Sequence, residues 1–254
     1  MLLAIDIGNS SINIGFFEGR RLIVHKIDSY PLKSSSFYFS LFKRFLREKN
    51  IDKTPSACII SSVIPKHTHA LKEAGKLTSG KKPLVVSPEV VSWIDFTSYK
   101  KEELGADRVC SSAGAVELYG TPLVVVDFGT ATTLNFIAEG NVFKGGAILP
   151  GIGLMADALK KGTSKLPRAP LKRPKSVLGR DAIGSMLSGI ILGSSGAVER
   201  LISDVEKTEA KKYQVILTGG YSGLVSAFLK RIDFIEPNLV LKGMRFIYKK
   251  QCEN

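Results

Sequence analysis

The chain has 254 residues, 44% of them hydrophobic, with 36 Lys and Arg against 23 Asp and Glu for a net charge of +13. That size suits one large α/β body or two lobes, and that apolar share excludes a disordered chain, while the positive balance favours anionic partners. No run of 18 apolar residues is present and an acid arrives at position 6 with no basic stretch before it, so neither a membrane span nor a secretory leader is expected.

Three extended segments open the chain at Leu2–Ile7, Ile12–Glu18 and Leu22–Ile27, rich in Ile and Val and joined by short turns. Phe37–Glu48 has helical spacing, with Tyr38, Leu41, Phe42 and Phe45 on one face. A strand is predicted at Ala57–Val63, a helix near His69–Leu77, a strand at Pro83–Val86 and a helix at Leu104–Leu118. After Gly120 and Pro122 the pattern restarts, with strands at Leu123–Val126, Thr133–Ala138 and Asn141–Ala147. Helices at Leu154–Lys161 and Ala182–Lys207 follow. The chain then reads as strand Gln214–Leu217, helix Ser222–Lys230, strand Phe234–Ile235 and helix Leu239–Lys249. From Lys160 to Arg180 there are eight Lys or Arg and no acid, which fits either a solvated loop or a phosphate-attracting segment. Cys58, Cys110 and Cys252 lack metal spacing and read as free thiols of a reducing compartment.

Residues 2–19 lie over residues 123–140 without a gap, placing Asp6 on Asp127, Gly8 on Gly129, Glu18 on Glu139 and Gly19 on Gly140. Both stretches read as apolar strand, Asp, any residue, Gly, small polar residues, second strand and Glu-Gly turn. Such a match points to a duplication with a lobe boundary near Gly120, giving lobes at residues 1–120 and 121–254. The period is far too long for a solenoid.

Each glycine loop has a chemical and a plain reading. In Asp6-Ile7-Gly8-Asn9-Ser10-Ser11, Gly8 permits a close backbone approach, and the exposed N–H groups can form an anion nest. A carboxylate repels phosphate, so Asp6 would need Mg²⁺ between them. Alone, the motif is equally a capped hairpin turn. Asp127-Phe128-Gly129-Thr130-Ala131-Thr132-Thr133 repeats the device with three hydroxyls and a second cation-binding acid. Leu217-Thr218-Gly219-Gly220 brings backbone flat against a ligand, or is an ordinary strand-to-helix turn. In Leu104-Gly105-Ala106-Asp107-Arg108, Asp107 could take a hydroxyl proton and Arg108 could pair with an anion. The alternative is an acid favoured by a helix start beside a surface Arg. No G-x-x-x-x-G-K-[ST] motif occurs, and Gly151–Ala156 follows Pro150 and lacks the acid a dinucleotide site needs, so it reads as a glycine-rich helix entry. His25, His67 and His69 lie outside the glycine loops and are not expected to bind metal or form a triad. Trp93 alone offers no stacking platform for nucleic acid.

Two Asp-x-Gly strands with a late Gly-Gly turn resemble the actin/hexokinase/Hsp70 class of ATP-binding folds. Within that class the chain is similar to the type III pantothenate kinase family. The residues carrying the likeness are Asp6–Ser10, Ser61–Pro65, Tyr99 with Leu104–Arg108, Asp127–Thr132, Gly145–Gly151, Lys165–Pro167 and Thr218–Tyr221. The resemblance implies an α/β fold of two ribonuclease H-like (actin-like) lobes, each a mixed five-stranded sheet flanked by helices, with ATP in a cleft between them. It implies ATP-dependent phosphorylation of pantothenate to 4'-phosphopantothenate, the first step of coenzyme A biosynthesis. Asp107 would be the general base, with Tyr99, Gly105, Ala106, Arg108 and Ala182 contacting substrate. Asp6, Ile7, Gly8, Asn9, Ser10, Ser11, Ile12 and Asn13 would serve ATP, with Asp6 reaching it through Mg²⁺. Thr130, Thr132, Gly219 and Gly220 would complete the nucleotide site, and Asp127 would bind a monovalent cation, K⁺ or NH₄⁺. A cytoplasmic homodimer with a shared active site is expected, with no membrane or nucleic-acid partner. This chain departs from the family pattern at Ser10 and Ala182, where Thr is usual, and at Glu102, where Pro is common. Two alternatives remain open: a non-catalytic regulatory factor of the same fold, and a kinase for another small hydroxy acid or sugar.

Overall fold

The computed structural model describes residues 1–252. It divides into two compact units: residues 1–118 with the segment from Leu239 onward, and Tyr119–Asn238.

The first unit is built on a sheet of order β3-β2-β1-β4-β5. β1 (Leu2–Ile7), β2 (Ser11–Glu18) and β3 (Arg21–Asp28) form an antiparallel meander, and β4 (Ala57–Ser62) and β5 (Leu84–Val85) add in parallel. β1 is buried at every position, as befits a central apolar strand, whereas β3 at the edge keeps much of its surface exposed. Helix α1 (Ser35–Glu48) starts where Ser34 Oγ accepts the Phe37 N–H at 3.2 Å, and its stripe of Tyr38, Leu41, Phe42 and Phe45 enters the core with Leu3, Ile5, Ile12 and Ile14. Helix α2 (Pro65–Ser79) begins four residues before the expected His69, because Pro65 is at ease in a first turn. Helix α3 (Ala106–Tyr119) then leads to the second unit.

The second sheet has the same plan, in order β8-β7-β6-β9-β10. β6 (Leu123–Phe128), β7 (Ala131–Ala138) and β8 (Val142–Pro150) are antiparallel, while β9 (Gln214–Thr218) and β10 (Phe234–Ile235) run parallel to β6. Helix α4 (Ile152–Gly162) follows. Then come α5 (Ala182–Leu187), a π-helical turn at Ser188–Leu192, and α6 (Gly193–Thr208). By length and composition Ala182–Thr208 could cross a membrane. Its side chains Met186, Leu187, Ile190, Ile191, Val198 and Ile202 instead pack into the core with Val124, Val126 and Phe128. The basic segment before α5 is irregular yet anchored, with Ala169 buried and Leu166 and Leu171 packed on that core. Helix α7 is only Ser222–Val225, continued by a 3₁₀ turn at Ser226–Phe228, so it is shorter than expected.

Two expectations are corrected. Helix α8 (Leu239–Cys252), assigned to the second lobe by sequence order, belongs to the first unit, where it packs on β1, β2 and β4. The ungapped repeat also slips. β2 and β7 share one burial pattern over their first seven residues when Ser11 is laid on Ala131, not on Thr132. Side-chain facing fixes this register, because a one-residue shift would turn the buried set to the wrong face. The ladder closes at Ile7–Ile12 in the first hairpin and at Phe128–Thr132 in the second, so the second loop is one residue shorter. The residue is regained in the return turn: β2–β3 pair Glu18 with Arg21, but β7–β8 pair Ala138 with Val142. That is why Gly19 and Gly140, at φ 58° and 73°, fall together in the unbroken comparison.

Candidate active site

In the first unit, β1 delivers Asp6 to the end of the sheet with only 7% of its surface exposed. Its ladder neighbours hold both oxygens: Asn13 Nδ2 donates to Oδ2 at 3.2 Å and Ser61 Oγ to Oδ1 at 3.0 Å. Burial first, and then the charge of Asp107, raise the Asp6 carboxyl from 3.8 to about 6, against the pull of those two donors. The loop after Asp6 closes with Gly8 N–H donating to Ser11 O at 3.0 Å, and Asn9 and Ser10 are exposed.

Asp107 sits in the first turn of α3, where the helix dipole favours an acid. The Arg108 N–H donates to its Oδ1 at 2.8 Å. Loss of water raises the Asp107 carboxyl, with the Arg108 N–H and charge opposing. A Cβ on Gly105 would stand 2.5 Å from Asp107 Oδ1, so the glycine leaves the carboxylate its room. Arg108 is buried, donates from Nη1 to the Tyr99 hydroxyl at 3.0 Å, and lies 5.1 Å from that ring's centroid. One turn along α3, the Cys110 thiol is pushed far up by burial and by Asp6, with Ser61 opposing. Asp6, Ser61, Asp107 and Cys110 therefore share one electrostatic neighbourhood.

In the second unit, the Asp127 loop meets two glycine turns. Gly129 N–H donates to Ala131 O at 3.1 Å, closing the shorter hairpin. Gly219, at φ 93°, brings its backbone so near that a Cβ would lie 2.3 Å from Asp127 Oδ1 and 2.6 Å from Phe128 O. The Tyr221 N–H donates to Phe128 O at 3.1 Å, locking the turn after β9 to the loop after β6. A Cβ at Gly151 would lie 2.2 Å from Thr130 O, so the entry to α4 also closes on this loop. Thr132 is buried, with no partner for its hydroxyl among the described residues.

The sequence-predicted residues thus fall into two clusters. Asp6, Gly8, Gly105, Asp107, Arg108 and Tyr99 gather in the first unit, and Asp127, Gly129, Thr130, Gly219 and Gly220 in the second. Asn13, expected to serve ATP, is engaged with Asp6. Ala182 is exposed at the first residue of α5, outside both clusters. Sequence reasoning did not connect Cys110 to the neighbourhood of Asp6, because its contacts join elements distant in the chain. Ser61 could have been placed once β4 was paired with β1.

Twin sheets of this order, each with an acid and a glycine at the end of its first strand, define an actin-like fold of the ATPase and sugar-kinase type. Solved structures agree on the fold. A protein from Sinorhizobium meliloti described as a 2-dehydro-3-deoxygalactonokinase covers 100% of this chain and 98% of its own at TM-score 0.62 and 12% identity. A Campylobacter jejuni protein described as a Baf family transcriptional activator covers 99% and 100% at TM-score 0.62 and 18% identity. The family model for type III pantothenate kinase matches residues 2–204. A type III pantothenate kinase from Moorella thermoacetica is 37% identical over 252 residues, 98% of this chain and 99% of that protein. The chain belongs to the type III pantothenate kinase family.

Proposed function

We propose that this chain transfers a phosphoryl group from ATP to the primary hydroxyl of pantothenate, the reaction that opens coenzyme A biosynthesis. The observation that carries the residue assignment is the buried neighbourhood of Asp6 and Asp107, where burial raises both carboxyls and the Asp107 charge raises Asp6 further. Asp107 is the general base: a raised carboxyl accepts a hydroxyl proton more readily than an ordinary one. Arg108, steadied by Tyr99, takes the anionic end of the acceptor, with Gly105 and Ala106 shaping the approach. Phosphoryl transfer asks mainly for positioning and charge neutralisation.

The residues fit the groups such a reaction uses. Ile7–Ser11 supplies a glycine turn with exposed Asn9 and Ser10 for phosphate, and Ile12 and Asn13 seat that turn on β2. Asp6 would hold Mg²⁺ carried on the nucleotide. Among the described residues no three His, Cys, Asp or Glu gather to bind a metal by themselves, so that ion would draw its other ligands from phosphate and water. Asp127 Oδ1 and the Phe128 carbonyl oxygen both face Gly219, 2.3 and 2.6 Å from where a Cβ would stand, and such oxygen donors would suit a monovalent cation such as K⁺ or NH₄⁺. Thr130, Thr132, Gly219 and Gly220 would serve the nucleotide. A cytoplasmic homodimer, with Ala182 reaching the partner's acceptor, completes the reading.

The test is ADP release coupled to a reporter enzyme, with and without pantothenate and with and without potassium. Pantothenate-dependent release that rises with potassium is expected. Absence of pantothenate-dependent release in both salts would overturn the assignment.

A further inference from the structure

The first phosphate loop is held from behind by residues that carry no obvious chemistry. Ser29 follows β3 and is fully buried. Its hydroxyl donates to Gly8 O at 2.5 Å, and its N–H donates to Ser10 O at 3.2 Å. His67, in the first turn of α2 and 1% exposed, meets Ser29 O with Nε2 at 2.6 Å. A carbonyl oxygen only accepts, so Nε2 donates, and Nδ1 is buried with no hydrogen-bond partner among the described residues. The Tyr30 ring stands edge-on to the imidazole, 5.0 Å between centroids.

In a trans peptide the C=O and the following N–H point in opposite directions. Tying the carbonyls of Gly8 and Ser10 back to Ser29 therefore aims the N–H groups of Asn9 and Ser11 the other way. Two N–H groups directed from one tight turn make an anion nest. We infer that Ser29 and His67 are positioning residues that orient the Gly8–Ser11 backbone amides for the phosphates of the bound nucleotide. His67 fixes Ser29, and Ser29 fixes the loop. This rests on the kinase reading above for the identity of the nucleotide, not for the geometry of the strut.

The experiment compares Ser29→Ala, His67→Ala and His67→Gln by titration with Mg²⁺ and a fluorescent ATP analogue, and by initial rates with each substrate varied in turn. Loss of one buried hydrogen bond is worth roughly a three- to tenfold change in an equilibrium. Ser29→Ala is expected to weaken nucleotide binding and raise KM for ATP by that factor, leaving KM for pantothenate unchanged. His67→Ala is expected to do the same. His67→Gln, whose amide can still donate to Ser29 O, is expected to recover most of the loss. Nucleotide binding at wild-type strength in folded Ser29→Ala, with only a lower melting temperature, would overturn the inference. So would equal kinetics for His67→Ala and His67→Gln, and that pair decides if Ser29→Ala does not fold. Should the wild-type protein show no pantothenate-dependent turnover, the function assigned above fails, while the nucleotide titration still decides the role of the strut.

Discussion

Asp6 and Asp107 have opposite demands placed on them by the same burial. For Asp107, a carboxyl resistant to ionisation is a better proton acceptor. Asp107→Asn keeps the shape and removes that basicity, so kcat is expected to fall by roughly 10²–10⁴-fold while nucleotide still binds. Near-normal turnover in that variant would remove Asp107 from the base's role. Asp6, in contrast, would have to be ionised to hold the proposed Mg²⁺, and burial opposes this. Its folded carboxyl titrates at about 6 and the ordinary value is 3.8. A raised acid favours folding fully below 3.8 and loses that contribution as pH climbs through about 6. The nucleotide-free protein is therefore expected to lose stability across that interval. At pH 8, Asp6→Asn is expected to melt higher than wild type, by up to about 3 kcal/mol of stability, while losing turnover. A midpoint below wild type at pH 8 would show that Asp6 carries no such strain.

At the scale of elements, α3 has two tasks: it presents Asp107 at its start and is crossed by α8 at Cys110–Gly114. The crossing depends on glycine. A Cβ on Gly243 would lie 1.8 Å from Cys110 O, and one on Gly114 would lie 2.7 Å from Leu239 O and 3.0 Å from Gly243 N. The helices cross with backbones in contact, which no larger residue permits. Gly243→Val is expected to destabilise the first unit by about 1–3 kcal/mol or more through overpacking. It should also shift the Asp107 end of α3, so thermal melting and kcat would fall together. Unchanged melting would mean the crossing can open without cost.

These elements also mark how far the sequence could be read. The strands, α1 and both Asp-x-Gly loops were legible because apolar periodicity and punctuating glycines are local signals. The proposed acceptor residues Gly105–Arg108 rest on family likeness, since Asp107 and Arg108 alone also fit a plain helix start. The placement of α8 was not legible, because its apolar face would suit either sheet. The one-residue slip between the hairpins stayed hidden because the lost loop residue returns before Gly140. The Ser29–His67 strut joins the end of β3 to α2, and no spacing rule connects residues 38 positions apart.

For the whole molecule, the second unit carries apolar side chains in the open. Val177 and Leu178 are 73% and 79% exposed and Ile148 is 63% exposed. Such groups are spared from water by association. Leu178 lies four residues before Ala182, the position the family likeness assigns to a partner's substrate pocket. A dimer in sedimentation is expected, and Leu178→Asp is expected to shift it towards monomer with loss of activity at low protein concentration. A monomeric wild type with full activity would contradict the shared site.

The return of α8 to the first unit has a consequence for synthesis. The chain emerges from the ribosome in order, so β1 to α3 are made first, yet their sheet has no cover on the α8 side until the whole second unit has been translated. The second unit can close on its own contiguous segment, while the half that bears Asp6 and Asp107 waits for the last helix. A message that stops short of residue 239 would thus yield a finished second unit attached to an unfinished first one. The unit begun first in translation is the one completed after the other.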